Sequence, residues 1–272
     1  MPELPEVETV VRGLRDDVVG RRFTSAEVTW LRQIEPFSAE DFSARLSGQR
    51  VENLRRRAKY IVFELSEDFL LVHLKMTGRL YVAEKDDPRF ADDRWVRTVI
   101  GLDDGRDLRF SDLRKFGRMQ LVADELEITG RLGPEPLEDD FTLDVLKERL
   151  KGRTRTIKPL LLDQTFVAGV GNIYADEALW ISKVDPRRKA DTLKSKEITL
   201  LHGAIREVLF KGIEREGASV NWYRKPDGET GSQQNYFKVY GQEGEPCARC
   251  GSPISKIKLA QRGTHFCANC QK

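Results

Sequence analysis

Four cysteines crowd the last 26 residues of this 272-residue chain, as Cys247-x2-Cys250, sixteen intervening residues, and Cys267-x2-Cys270. Two such pairs separated by the length of a β-hairpin match a tetrahedral four-thiolate zinc site. Four thiolates leave no position for water, so the metal reads as structural. Two disulfides are the alternative, and a cytosolic chain of this size does not need them. The hairpin between the pairs, Ile254 to Phe266, carries Lys256, Lys258 and Arg262, so the metal braces a small basic finger. The other end of the chain, MPELPEVETVVRGL, places two prolines and three glutamates in its first eight residues. Pro5 suits the first position of a helix, and Glu6 and Glu8 favour the positive end of its dipole. Pro2 and Glu3 lie ahead of that helix, and it does not explain them.

The elements that must position these groups read in three parts. Val7, Val10, Val11, Leu14 and Val18 recur at helical spacing, which predicts a helix from about Pro5 to Val19. From about Arg21 to Ala123 come successive strands rich in β-branched and aromatic residues, punctuated by Ser66-Glu67-Asp68 and Asp103-Asp104-Gly105. Strands without intervening helices suggest an antiparallel sandwich or barrel. GRLGPEPLEDD, residues 130–140, is a Gly-, Pro- and acid-rich breaker that predicts a linker at 131–140. Beyond it the pattern turns helical, with Ile198, Leu201, Ile205, Val208, Leu209 and Ile213 at helical spacing. Gly169 to Asn172, GVGN, sits where one helix reverses into the next. Asn172 reads as an N-cap there, and the glycines before it present bare amides suited to a phosphate. The fold class is therefore α+β.

Bulk composition narrows the function classes. The chain is 39% hydrophobic and 33% charged, with no apolar run near the ~18 residues of a membrane span. An acidic N-terminus, where a signal or transit peptide would be basic, points to the cytosol. Net charge is only +2, but residues 146–158 hold six basic residues and one acid, and residues 247–272 hold five and none. Such clusters suit phosphate binding, with two solvated basic faces as the alternative.

PELPEVET at the N-terminus, RRAKY around Lys59, LKMTG around Met76, DLRKFG around Arg114, IKPLLLDQTFVAGVGNIYADE and the terminal QRGTHFCANCQK together resemble formamidopyrimidine-DNA glycosylase, the bacterial 8-oxoguanine DNA glycosylase/AP lyase family. The resemblance runs from Pro2 to Lys272. It implies a catalytic helix and β-sandwich over 1–130, a linker over 131–140, a helix–two-turn–helix domain over 141–236 with a lesion-lid loop at 215–235, and a zinc finger over 237–272. The implied partner is double-stranded DNA containing oxidised bases or abasic sites, lying between the larger parts. The implied cofactor is one structural zinc ion on Cys247, Cys250, Cys267 and Cys270. No membrane partner is implied, and the protein is expected as a monomer in the bacterial cytosol.

The resemblance also assigns roles. Pro2, once Met1 is removed, becomes a secondary amine that attacks the sugar C1′ and forms an iminium. An α-amino group titrates near ~7.7–8.0 against ~10.4 for lysine, so it can be neutral without deep burial. Glu3 matches the catalytic acid/base, and Glu6 supports the site. Lys59 matches the β-turn lysine that offers charge to phosphate or lesion, and Arg262 shares the catalytic and phosphate-binding assignment. Met76, Arg114 and Phe116 match the trio that fills the gap left by an extruded base. Lys59, Asn172, Arg262 and also Lys158 would clamp phosphates. His73 faces either the core or the DNA backbone.

Two positions depart from the family pattern. Trp222 stands where an acidic residue is common in the lid, and Lys115 replaces the more frequent second arginine before Phe116. Both bear on lesion preference, leaving oxidised pyrimidines, in the manner of the endonuclease VIII relatives, beside oxidised purines. Leu4 favours the purine branch, since those relatives usually carry glycine after the glutamate. A non-catalytic zinc-dependent binder of damaged DNA is the alternative of a different class, against which Pro2 and Glu3 argue.

Overall fold

Glu3 is the N-cap of the first helix, α1 (Leu4–Val18), and its backbone N–H donates to Glu6 Oε2 at 2.7 Å. The carboxylate three residues on thus satisfies a donor that the helix start leaves orphaned. In this computed structural model, which describes residues 1–272, Pro5 occupies the second helical position rather than the first. Its missing N–H has no intrahelical role there either. The valines and Leu14 that set the period are buried, as anticipated.

Two compact units divide the chain, residues 1–131 with 216–232, and residues 132–215 with 233–272. The first is a β-sandwich. One sheet takes β1 (Phe23–Val28), β6 (Val96–Leu102), β7 (Asp107–Asp112) and β5 (Gly78–Ala83) in that order. The other takes β2 (Val51–Arg57), β3 (Tyr60–Leu65), β4 (Phe69–His73) and β8 (Arg118–Val122). All pairings are antiparallel. Inward residues of both sheets, including Phe23, Phe63, Ile100 and Phe110, join the apolar face of α1 in one core. Helix α2 (Ala39–Leu46), capped by Ser38, adds Phe42 and Leu46 to it.

The segment 216–232, assigned from sequence to the helical part, groups with the sandwich instead. Tyr223 enters the sandwich core, Ala218 N donates to Glu6 Oε1 at 2.8 Å, and Pro226 packs on Gly13. Within the segment, Lys225 Nζ lies 3.2–3.4 Å from carboxylate oxygens of Glu216, Asp227 and Glu229.

The second unit holds α4 (Leu143–Leu150), α5 (Ile157–Leu161), α6 (Asn172–Ile181), the 20-residue α7 (Ser195–Glu214) and the hairpin β9 (Ser255–Leu259)–β10 (Arg262–Phe266); the short α3 (Leu126–Thr129) precedes it. The stretch read as a linker is tied down here. Gly133 N donates to Gln164 O and Ala168 N to Pro134 O, while the Arg206 guanidinium donates to the carbonyls of Pro136, Leu137 and Glu138. Its glycines and prolines exclude helix and strand but not fixed structure. No helix is long and apolar enough to cross a membrane.

His73 ends β4 inside the fold, 8% exposed, its ring edge-on to Tyr60 at 4.8 Å between centroids. Nδ1 accepts the Lys75 N–H at 3.0 Å, which fixes the neutral tautomer. Burial, reinforced by the Lys75 and Lys59 charges, lowers its pKa to about 3. The unfolded chain therefore binds more protons than the native one between pH ~6.5 and about 3. Stability should fall by about 1.4 kcal/mol per pH unit through that window from this group alone. Urea unfolding of wild type and His73→Gln from pH 7 to 4 checks this: the variant should lose that much less per unit, and parallel curves would refute it.

Candidate active site and nucleic-acid interface

In the first unit the candidate catalytic residues gather at the start of α1. Pro2 is buried, Glu3 is 3% and Glu6 2% exposed, and Met1 is half exposed at 51%. Removing Met1 frees the Pro2 nitrogen beside a buried carboxylate. Glu6 accepts from Glu3 N with one oxygen and from Ala218 N with the other, so one side chain fixes both the candidate catalytic terminus and the 216–232 segment. Gly217, at φ +79°, is where that segment turns in; a Cβ there would meet Glu6 Cγ at 2.9 Å. Lys59 sits in the two-residue turn Ala58–Lys59 between β2 and β3, whose ends pair through Arg57 and Tyr60. It is buried.

Met76, Arg114 and Phe116 are brought together at the surface. Met76 and Phe116 are 43% and 49% exposed, and what sets them apart from other exposed apolar residues is that both touch Arg114, making one patch. Arg114 Nη1 lies 3.0 Å from Met76 Sδ, and its guanidinium stacks on Phe116 at 4.8 Å. Two turns from different strands therefore present one wedge. What joins them is Asp112, fully buried and not singled out by the sequence. Its carboxylate accepts from the Thr77 hydroxyl, from Arg114 N at 3.3 Å and from Gly117 N at 2.7 Å. Thr77 Oγ1 in turn accepts from Arg114 N at 3.0 Å. A Cβ at Gly117 would fall 2.5 Å from Phe110 Cζ, so only glycine closes the turn. The available signal was an acid at a strand end, two residues before Arg114. Lys115, in the left-handed region at φ 59°, puts its ammonium 4.4 Å from the Trp30 ring centre, a cation–π contact.

In the second unit the structure corrects two expectations. Asn172 is not the N-cap of α6; Gly171 is, and Asn172 Nδ2 donates instead to Gly263 O at 3.0 Å. That contact holds the tip of the β9–β10 hairpin, where Ala260 and Gln261 both have positive φ and Arg262 is exposed. Lys158, expected to clamp a phosphate, is completely buried. Its ammonium pairs with Asp176 at 2.7 Å and donates to Gly263 O and Thr264 Oγ1. Asp176 also accepts from His265 N at 2.9 Å. Lys158 therefore locks α5, α6 and β10 together, and its reach to DNA is lost to this network.

The four cysteine sulfurs lie within 4.8 Å of one another, with Cys250 and Cys267 3.5 Å and Cys247 and Cys270 4.0 Å apart. Zinc–sulfur bonds of ~2.3 Å in a tetrahedron need spacings of that order, so the residues fit one structural zinc ion. The apolar cluster around them is small, Trp180, Ile181, Val239 and Ile254, so metal binding would supply much of the finger's folding energy.

Comparison with known proteins places these features. Three family models match in order: the formamidopyrimidine-DNA glycosylase N-terminal domain over residues 1–119, its H2TH domain over 132–224, and the zinc finger found in FPG and IleRS over 244–272. A formamidopyrimidine-DNA glycosylase of Herpetosiphon aurantiacus is 47% identical over the whole of both chains. Among solved structures, a Lactococcus lactis enzyme mutant in complex with a Fapy-dG-containing DNA matches with TM-score 0.92 at 39% identity, covering both chains fully. The wild-type Lactococcus lactis enzyme bound to an oxidised-pyrimidine-containing DNA matches with TM-score 0.90 at 39% identity, again over both chains fully.

Breaking the buried pair should cost far more than a surface change. Lys158→Met leaves Asp176 charged and uncompensated, a loss of about 3–5 kcal/mol. Its thermal unfolding midpoint should drop sharply while an Arg153→Met control at the exposed end of the same basic stretch does not move. Equal midpoints would put Lys158 back among the solvent-facing clamps.

Proposed function

The chain belongs to the formamidopyrimidine-DNA glycosylase family, and from that premise we propose that Pro2, freed by loss of Met1, is the nucleophile of a bifunctional glycosylase and AP lyase. The observation that carries the reading is the buried carboxylate pair at the start of α1, with Glu3 next to the nucleophile and Glu6 holding both it and Ala218. The Pro2 nitrogen donates its lone pair to C1′ of the damaged nucleotide as the base departs with the electrons of the glycosidic bond. The ammonium so formed on Pro2 gives its proton to the departing base, the C1′–O4′ bond opens as Glu3 protonates O4′, and an iminium remains on Pro2. The iminium acidifies C2′; loss of that proton expels the 3′ phosphate, and a second elimination expels the 5′ phosphate. Water hydrolyses the remaining iminium and restores the free amine.

The substrate on this reading is duplex DNA with an oxidised purine, 8-oxoguanine or a formamidopyrimidine, extruded from the helix. Met76, Arg114 and Phe116 fill the gap as one unit: the aromatic and thioether surfaces replace the lost stacking, and the guanidinium pairs with the orphaned base. Asn172 and Arg262 hold phosphates from the second unit, and Lys59 supplies charge from the first. The Lactococcus lactis complex with an oxidised pyrimidine supports a lesion range wider than purines. Zinc keeps the finger folded and enters no chemical step. Such an enzyme works where the bacterial chromosome is, in the cytosol.

Glu3→Gln should lower single-turnover excision of 8-oxoguanine opposite cytosine by at least about 100-fold, and Pro2→Gly should lower it also. Both should bind a duplex with a tetrahydrofuran abasic-site analogue within about threefold of wild type, with affinity that falls steeply in salt because phosphates anchor it. Wild-type excision by either variant would overturn the assignment.

A further inference from the structure

Away from the proposed catalytic residues, the sandwich carries a half-open cavity of mixed polar and apolar lining. It encloses about 370 Å³ and is lined by Arg79, Arg224, Trp95, Trp222, Thr77 and Leu113, among others. Its volume falls in the range of small-ligand sites. Arg79 is the unusual member. Its guanidinium lies 4.7 Å from the ring centre of Tyr81 and 4.8 Å from that of Phe90, two rings stacked 4.1 Å apart. Its Nε and Nη2 are buried and have no hydrogen-bond partner. A guanidinium is always charged, and a buried charge without an acceptor is costly.

Asp93 and Asp227 favour its charge from a distance, but no carboxylate bonds to its buried nitrogens. Asp93 is engaged by the Tyr81 hydroxyl at 2.9 Å, the Ser111 hydroxyl at 2.8 Å and Trp95 N at 3.1 Å. Asp87 is committed to Arg89. Asp92 also lines the cavity and makes no side-chain bond to Arg79, whose buried nitrogens stay open. The rest of the wall sets two indole faces, Trp95 and Trp222, beside Arg89 and Arg224, with Asp92 and Asp93 also on it; Trp222 is 56% exposed, and the Trp95 ring has the Arg94 and Arg97 guanidinium groups 4.9 and 5.8 Å from its centre. Aromatic faces beside guanidinium groups are what a nucleotide requires, stacking for the base and paired donors for the phosphate. The cavity also borders the wedge, since Thr77 follows Met76 and Leu113 precedes Arg114.

We infer that this cavity binds one nucleotide, its phosphate on Arg79 and its base against Trp222. The site is separate from the residues proposed for catalysis, none of which lines it; it shares Trp222 and Arg224 with the 216–232 segment, and it stands whichever amine attacks the sugar. The same chemistry has two sources, a nucleotide of the bound duplex beside the wedge or a free mononucleotide.

Calorimetric titration of the full chain with 2′-deoxycytidine 5′-monophosphate, deoxycytidine and inorganic phosphate separates them, alongside anisotropy with the abasic-analogue duplex. For a free nucleotide, the monophosphate binds saturably, deoxycytidine does not, and Arg79→Gln weakens binding about tenfold, the loss expected of one charge-assisted contact. For a strand of the duplex, Arg79→Gln instead weakens duplex affinity about tenfold and lowers the salt slope by about one. Arg79→Lys, which keeps the charge, should recover part of either effect. Trp222→Ala, on an exposed position, should weaken the same ligand and serves if Arg79→Gln fails to fold. Nucleotide and duplex affinities unchanged in Trp222→Ala and in a folded Arg79 variant would overturn the inference.

Discussion

One carboxylate holds the proposed chemistry in place. Glu6 is three residues from the catalytic acid in sequence and 212 residues from Ala218, and it accepts a backbone N–H from each side. Buried backbone donors must find acceptors, so a single buried side chain that satisfies two of them couples what they belong to. The terminus proposed to attack the sugar and the segment expected to close over the lesion thereby share one anchor. Tyr223 in the sandwich core and Lys225 among three carboxylates secure the rest of that segment.

The same device recurs at each working surface. Asp112 gathers the Thr77 hydroxyl and the amides of Arg114 and Gly117, so that exposed Met76, Arg114 and Phe116 are presented together before any DNA arrives. In the second unit Asp176 receives Lys158 and His265, which sets the hairpin tip bearing Arg262 next to Asn172. A wedge and a clamp held this way lose little conformational entropy on binding. On the proposed reading exposed side chains meet DNA, and buried acids keep them in position.

Local patterns carried much of this in the sequence. The cysteine spacing is a local distance constraint, and the sulfurs do cluster. The α1 period reports one buried face, and it is buried. The run of strands meant a sandwich or a barrel, and two four-stranded antiparallel sheets form the sandwich; the strand reading missed α2, a short helix between β1 and β2 whose buried face is only Phe42 and Leu46. What the sequence hid depends on contacts between distant residues. Lys158 looks like one more cation in a basic stretch until α6 supplies Asp176 and β10 supplies Gly263. Residues 130–140 look like a free linker because composition reports which elements they cannot form, and not the carbonyls they offer to Arg206. Asp112 gave no sign beyond its place at the end of a strand.

The central claim is that the terminal proline performs the attack, and borohydride reduction during turnover tests it most directly. The protein, with loss of Met1 checked by intact mass, would be mixed with a duplex holding one 8-oxoguanine opposite cytosine, reduced, digested and mapped. The account predicts a single covalent adduct on the Pro2 nitrogen. An adduct on a lysine such as Lys59, with Pro2 unmodified in the same sample, would contradict it.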